Sequence, residues 1–584
     1  IKTFMQILKR TFSLRAFISF SFLWKLFFVA FTTILFLLDA LHESYPDEFD
    51  NLLGGKYILH GRLLYTGFFT HHGPVPYYLA AFLELFSRTS FVHFRIVYAF
   101  FLVAINFLIF YLLKKRVGLK NIFWYPLFIV FLGVEATYYW SHMLLADNLA
   151  AYAFLPVYAL LLIKSVTKQT FGKADMLLVS ICSAIGLYSS LTYLYLFFIV
   201  AAASLMLYYE SFPLRKNNIF SFKAYTPIGI LALPHIVFGL YLLVTGSVSD
   251  YIFQNFTFNA KYYIYNYPRP AGSTSINPLR YAIVIAHDFF DNFQVLLLSV
   301  KDFNISFPLN LTMAIANAAT LSYLLVKKNY KFFAVLILWM IYVNARSNPL
   351  VSSETDYQAA GYIFLSFFNL FFILPKLYEF INDSELLAKK VLLGSIFILL
   401  SVYTFFSMLF FVRKFADKYY PKYMGQAPLI YNRPEIAPII NLLVSKNEYM
   451  WIGPFEFEEL FYTNGKTPSK YDILIPGFGK SEKVQQEMLS DFENNPPKVM
   501  MYDKNFFVLG SRAGDYGKFL DNFISENYIT LLPYKEGKTY YRSVAPIHEG
   551  EKVDIETKLY IRKDVIHEVI QKLLDASYIK KITS

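Results

Sequence analysis

The stretch "SYPDEFDNLLGGKYILHGRLLYTGFFTHHGPVPYY", Ser44 to Tyr78, places an acidic cluster, a Gly-Arg pair and two adjacent histidines directly after a long apolar run. Asp47, Glu48 and Asp50 follow Pro46 directly after a long apolar run. A carboxylate at such a position can take a proton from an attacking hydroxyl if it lies within hydrogen-bond reach. The same Asp is also a good N-cap for a helix over "EFDNLLGGKYI", and capping and catalysis can coexist. Arg62 offers the forked donors that suit phosphate, with an interfacial anchor as the plain alternative. His71 and His72 are adjacent, which makes neighbouring side chains diverge, and no HExxH-like spacing accompanies them. A metal role for His72 therefore has no supporting pattern, and no cofactor is required by this reading.

Polar groups of similar kind recur further along. "WSHMLLADN" brings His142 and Asp147 to the start of an apolar helix, where Asp147 reads as a cap or a pore-facing group. "FTFNAKYYIYNYPRP" brings Lys261 among tyrosines of the type that favour a membrane interface. Arg346 stands where another apolar run ends, as a phosphate contact or a snorkelling anchor.

The elements that must position these residues are membrane helices. Of 584 residues, 56% are hydrophobic, 20% aromatic and only 16% charged, with mean hydropathy +0.40. A soluble domain carries about a quarter charged residues. About eleven apolar runs approach the length of about 20 that a span requires. They lie near 20–41, 93–113, 121–138, 148–163, 175–190, 191–209, 225–245, 305–326, 332–346, 357–375 and 391–412. The pair meeting at "YSSLTY" is the finest division. With the N-terminus inside, the inner loops carry about sixteen Lys and Arg in roughly fifty positions, and the outer loops about seven in roughly 130. Net charge +12 is then a topology signal and not the footprint of a nucleic-acid binder.

Segment 278–300 is long enough to span, but His287, Asp288 and Asp291 in its middle favour an interfacial or re-entrant helix. The single cysteine, Cys182, excludes a disulfide framework and a cysteine metal site. The chain starts at Ile1, and its first apolar run is too long, without a small-residue cleavage site, to be a cleavable signal.

This arrangement predicts a polytopic α-helical membrane domain over 1–412, with long outer loops at 42–92 and 246–304. From 413 to 584 short apolar runs alternate with helical patterns, which predicts an extracytoplasmic α/β domain with a parallel or mixed sheet. The tail after about 546 extends that domain or docks on the membrane.

The first loop resembles the first external loop of GT-C membrane glycosyltransferases, closest to the bacterial branch of protein O-mannosyltransferases and the lipid A aminoarabinose transferase. The resemblance rests on the acidic pair Asp47 and Glu48, on Gly61 and Tyr65, and on His72, Pro74, Tyr77, Tyr78 and Leu79. Asp147 in "LLADNLAAY" matches an Asp of the second external loop. It covers the membrane part in topology and the first loop in residue detail.

The resemblance implies an inverting transferase in the plasma membrane, moving a monosaccharide from a polyprenyl-phosphate donor to a glycan, lipid or protein hydroxyl. It implies Asp47 as general base or acceptor-orienting carboxylate, Glu48 as its close support, and Tyr65, His72, Tyr77 and Asp147 as substrate contacts. Arg62, Lys261 and Arg346 are donor-phosphate candidates on chemical grounds alone. His72 and Gly73 replace an acidic residue and a Lys of the aminoarabinose transferase, and no "H-P-P" supports protein O-mannosylation. No "GxxxxGK[ST]" loop is present, in keeping with a lipid-linked donor. A transporter or flippase is the competing class, but it predicts inverted repeats or paired broken helices, and the sequence has neither. A receptor with a ligand-binding outer domain would not need so many spans.

Overall fold

The computed structural model of the chain describes residues 24–42, 44–87, 90–136, 140–213, 222–263, 279, 282–287, 289–290, 306–343, 357–383, 386–425, 434–532, 534–536, 539–544 and 553–583. Every apolar run named above carries a helix. Among the described residues, six helices are long and apolar enough to cross a membrane: Phe91–Val117, Ala146–Thr167, Leu191–Ser211, Ala224–Val244, Ala360–Asn382 and Leu387–Phe406. The chain is thus built as a multi-pass membrane protein. Several other runs make shorter helices. Within 121–138, for example, the chain turns at Phe123 and restarts at Tyr125–Val134 with Pro126 in its first turn. The "YSSLTY" division is a true break, because Ser190 is extended and ends the Lys173–Ser189 helix.

Burial sorts these helices. Ala146–Thr167 and Ala360–Asn382 have 89% and 83% of their apolar windows buried, so they form the centre of the bundle. Leu387–Phe406 and Ala224–Val244 have 6% and 17% buried while remaining predominantly apolar. Such surfaces are stable only against lipid.

At the centre, polar side chains stitch three helices together. The Tyr158 hydroxyl donates to Asn369 at 2.5 Å, Asn369 donates to Asn317 at 2.9 Å, and Asn317 donates to Ser366 at 2.9 Å. All four residues are buried, so each bond replaces an otherwise unsatisfied group in hydrocarbon. Replacing Asn369 by Leu is expected to cost about 1 kcal/mol of bundle stability. Denaturation in mixed micelles reads this directly, and an unchanged midpoint would remove the network from the stability account.

The C-terminal region holds a four-stranded mixed sheet. Met450–Gly453 pairs in parallel with Val499–Tyr502, which pairs antiparallel with Leu559–Arg562, which pairs antiparallel with Tyr528–Thr530. Both Met450–Gly453 and Val499–Tyr502 are buried at every position, which explains their unbroken apolar sequences. The tail supplies an inner strand of this sheet, then the helix Ile566–Asp575, and finally Ile579–Thr583, which pairs with Thr539–Ser543. The tail is therefore part of the sheet domain. Most of segment 278–300 lies outside the described residues; 282–287 is helical.

Candidate functional site

The first long loop folds into two helices, Pro46–Leu59 and Val75–Ser87, wedged between the bundle and the sheet domain. The first begins at Pro46, whose fixed φ suits the opening turn. Its N-cap is Tyr45, with no side-chain cap bond, so the expectation that Asp47 caps the helix is corrected. Asp47 sits one residue inside, beside Glu48, where the positive end of the helix dipole favours both charges. The two helices approach closely because Gly54 has no Cβ. A Cβ there would lie 2.2 Å from the Tyr77 ring.

Glu48 and Asp47 have different surroundings. Glu48 is fully buried and accepts from Arg95 at 2.5 Å and from the Leu144 amide at 3.4 Å. Beside it Asn51 donates to the Leu144 carbonyl at 2.8 Å. Glu48 thereby pins the loop helix to Phe91–Val117 and to the segment preceding Asp147. Asp47 is half-buried.

One helical turn along, on the same face as Asp47, lies Asp50. It accepts from the Tyr77 hydroxyl at 2.8 Å, and Tyr77 in turn meets the Thr70 hydroxyl at 2.6 Å. Across a small cavity of about 30 Å³ stands Asp472 of the sheet domain, with Thr70, His71 and Tyr57 also lining the space. Burial pushes the Asp50 carboxyl up to about 7, the neighbouring Asp47 and Asp472 charges add to that, and the Tyr77 bond opposes it. Burial likewise lifts Asp472 to about 6 against the pull of Arg62.

The raised Asp50 value has a definite sign in stability. Its ordinary value is 3.8, so between there and about 7 the folded state holds a proton that the unfolded chain has lost. Stability from this group is full at low pH and is lost as pH rises through that window. Asp50→Asn is therefore expected to raise the thermal midpoint at pH 8 and to leave it nearly unchanged at pH 4. Equal shifts at both pH values would contradict the assignment.

The turn between the two loop helices is held by the π-helix Phe253–Tyr263. Gln254 accepts from the Thr70 amide at 3.0 Å and donates to the Tyr65 carbonyl at 2.7 Å. Tyr65 has φ 72 and is fully buried, its ring against Tyr251, so it shapes the turn from inside. His71 packs on Tyr263 and on His72, with ring centroids 4.4 and 4.2 Å apart. The half-buried His72 is followed by Gly73, where a Cβ would fall 1.9 Å from the Tyr188 carbonyl oxygen. Only glycine lets the turn sit on the end of the Lys173–Ser189 helix. Lys261 is exposed in the last turn of the π-helix.

Asp147 occupies the first turn of Ala146–Thr167, fully buried, and accepts from the Tyr193 hydroxyl at 2.8 Å. It is joined to the loop helix through the Leu144 contacts of Glu48 and Asn51. Arg62 is engaged within the protein. It donates to the Gly67 carbonyl at 2.8 and 2.5 Å, to Thr467 at 2.7 Å and to the Ser469 carbonyl at 3.2 Å. It also lies 4.1 Å from the Tyr57 ring centroid and 3.8 Å from Asp472. Arg62 thus clamps the loop to the sheet domain. Arg346 lies outside the described residues. Among the described residues no group of three or more His, Cys, Asp or Glu is placed to hold a metal ion.

Asp472 and Gln254 were not singled out from the sequence, and Asp50, named there in the acidic cluster, was given no role of its own. Asp50 had a signal, since a three-residue step from Asp47 puts both on one helix face. Asp472 and Gln254 had none, being far along the chain. Lys56 is a further joint, donating to the Phe461 and Thr463 carbonyls at 2.7 and 2.6 Å. These carbonyls end the helix Phe457–Tyr462, where a cation is favoured.

No family model and no curated protein matches the sequence. Among solved structures, the archaeal oligosaccharyltransferase AglB from Archaeoglobus fulgidus, in complex with an inhibitory peptide and a dolichol-phosphate, is similar at 12% identity. The match covers 82% of this chain and 69% of that one, with a TM-score of 0.37, a likeness too slight to carry weight.

Proposed function

We propose that the chain is an inverting glycosyltransferase of GT-C type, moving a monosaccharide from a polyprenyl-phosphate donor to an acceptor hydroxyl. In this reading eleven helices span the membrane, the N-terminus is cytoplasmic and the sheet domain extracytoplasmic. The observation that carries it is the division of labour in the acidic cluster. Glu48 is fully buried against Arg95, and Asp47 sits half-buried at the start of the loop helix, between an apolar bundle and a polar domain. A lipid-borne sugar phosphate would present its head group at such a boundary.

Asp47 accepts the acceptor's hydroxyl proton as that oxygen bonds to the anomeric carbon, while the bond to the polyprenyl phosphate breaks and the phosphate leaves with its electron pair. His72, half-buried in the turn, flanks the acceptor, the buried Asp147 holds the start of its helix through Tyr193, and the exposed Lys261 meets the phosphate charge. Glu48, Tyr65 and Tyr77 hold the loop, and Arg62 holds it to the sheet domain. The test uses the purified full chain in nanodiscs, radiolabelled polyprenyl-phosphate sugars and a membrane acceptor extract. Transfer by the wild type and its loss in Asp47→Asn is the expected result; transfer unchanged in the variant would remove Asp47 from this role.

A further inference from the structure

A cleft of about 1190 Å³ separates the first loop from the sheet domain, and nothing in the chemistry above uses it. Its loop wall carries Lys56, Tyr57, His60 and Arg62; its domain wall runs through Tyr449 and 460–470 to the helix Glu482–Asn494. That volume exceeds what one monosaccharide fills, so an occupant would be a chain.

Charge narrows the kind of chain. Lys56, Arg62, Lys446, Lys466 and Lys470 line the cleft against two carboxylates, Glu487 and Asp491. Both carboxylates have partners within the protein. Glu487 pairs with Lys470 at 3.0 Å and accepts from the Tyr471 hydroxyl at 2.6 Å, and Asp491 accepts from Ser469 at 2.6 Å. Lys446 and Lys466 are exposed at the rim, so the open face is cationic.

Chemistry also separates a glycan from a peptide. The Met450–Gly453 strand is the edge of the four-stranded sheet, the place where an extended peptide would add a strand. That route is closed at its start, because the Met450 amide donates to the Lys466 carbonyl and the Lys466 amide to the Glu448 carbonyl, each at 2.9 Å. What faces the cleft instead is Tyr449 and Tyr462 with the amides of Asn464, Gln486 and Asn495. Aromatic faces beside amide donors and acceptors suit hydroxyl-rich rings. Tyr57 lines both the cleft and the small cavity holding Asp50 and Asp472, so the cleft adjoins the acidic cluster across that ring.

We infer that this cleft is a binding groove for an anionic, hydroxyl-rich saccharide chain, positioned to deliver the acceptor; the delivery rests on the transferase reading, the binding does not. The test is equilibrium binding to the full chain in zwitterionic nanodiscs, with hexagalacturonate, maltohexaose and hexaglutamate as probes. Hexagalacturonate is expected to bind the wild type more tightly than either other probe. Lys446→Glu/Lys466→Glu, at exposed positions, is expected to weaken it by about tenfold, with a reduced salt dependence. Unchanged binding in that variant would overturn the groove, as would tighter binding of hexaglutamate, which would make the partner an acidic peptide. Sugar transfer without hexagalacturonate binding would overturn the groove and leave the transferase standing; binding without transfer would do the reverse.

Discussion

Arg95→Met is expected to be the most damaging single substitution, removing most folded protein from the membrane. Arg95 is fully buried beside the fully buried Glu48, and its guanidinium lies 2.5 Å from that carboxylate. Its loss leaves Glu48 with the Leu144 amide at 3.4 Å as compensation. Breaking a buried pair in this way costs about 3–5 kcal/mol. A domain's whole net stability is about 5–15 kcal/mol, so the loss is a large part of it. Glu48→Gln/Arg95→Met removes both charges and is expected to recover much of the deficit. Thermal unfolding of the purified protein, with yield from the membrane, measures both. A single variant as stable as the wild type would show that the pair does not anchor the loop.

The second large effect is on rate and not on stability. Asp47→Asn preserves size and keeps an oxygen acceptor in the first helical turn, and the dipole contact it gives up there is worth about 0.3–1 kcal/mol. A general base, in contrast, contributes about 10²–10⁴-fold. Transfer is therefore expected to fall by about that factor while the thermal midpoint moves little. Glu48→Gln should show the opposite pattern, with stability lost before rate. If both variants lose stability and rate together, the two acids share a structural task and Asp47 is not the base.

These two acids, adjacent in sequence, mark the limit of what local pattern reveals. "PDEFD" declares a helix start and a cluster of carboxylates. It does not say which one faces Arg95, because that Arg lies on another helix and consecutive side chains on a helix point about 100° apart. Arg62 is a similar case. Its type suited a phosphate, yet its donors meet Gly67, Thr467 and Ser469, two of them some 400 residues away. Tyr65 and Tyr77 looked like substrate contacts beside a polar loop and are fully buried in packing. Asp147, read as a cap or pore-facing group, is fully buried and takes its hydrogen bond from Tyr193, a residue on the next break in the bundle.

The apolar helices, the break within "YSSLTY" and the strand–helix alternation after 413 were legible because each is written in a short window. Apolar length, period and turn residues act within about twenty positions. The sequence by itself thus determined a multi-pass membrane chain with a C-terminal region of alternating strands and helices, its sheet left as parallel or mixed, and it marked the first loop as the place where reactive groups gather. Only the tertiary structure decided that Glu48 is an anchor, that Asp50 and Asp472 face one cavity, and that Lys56 and Arg62 bind the loop to the sheet domain. The physical reason is desolvation. A charge excluded from water must be matched by a partner, and that partner is fixed by packing between distant segments and not by neighbours in the chain.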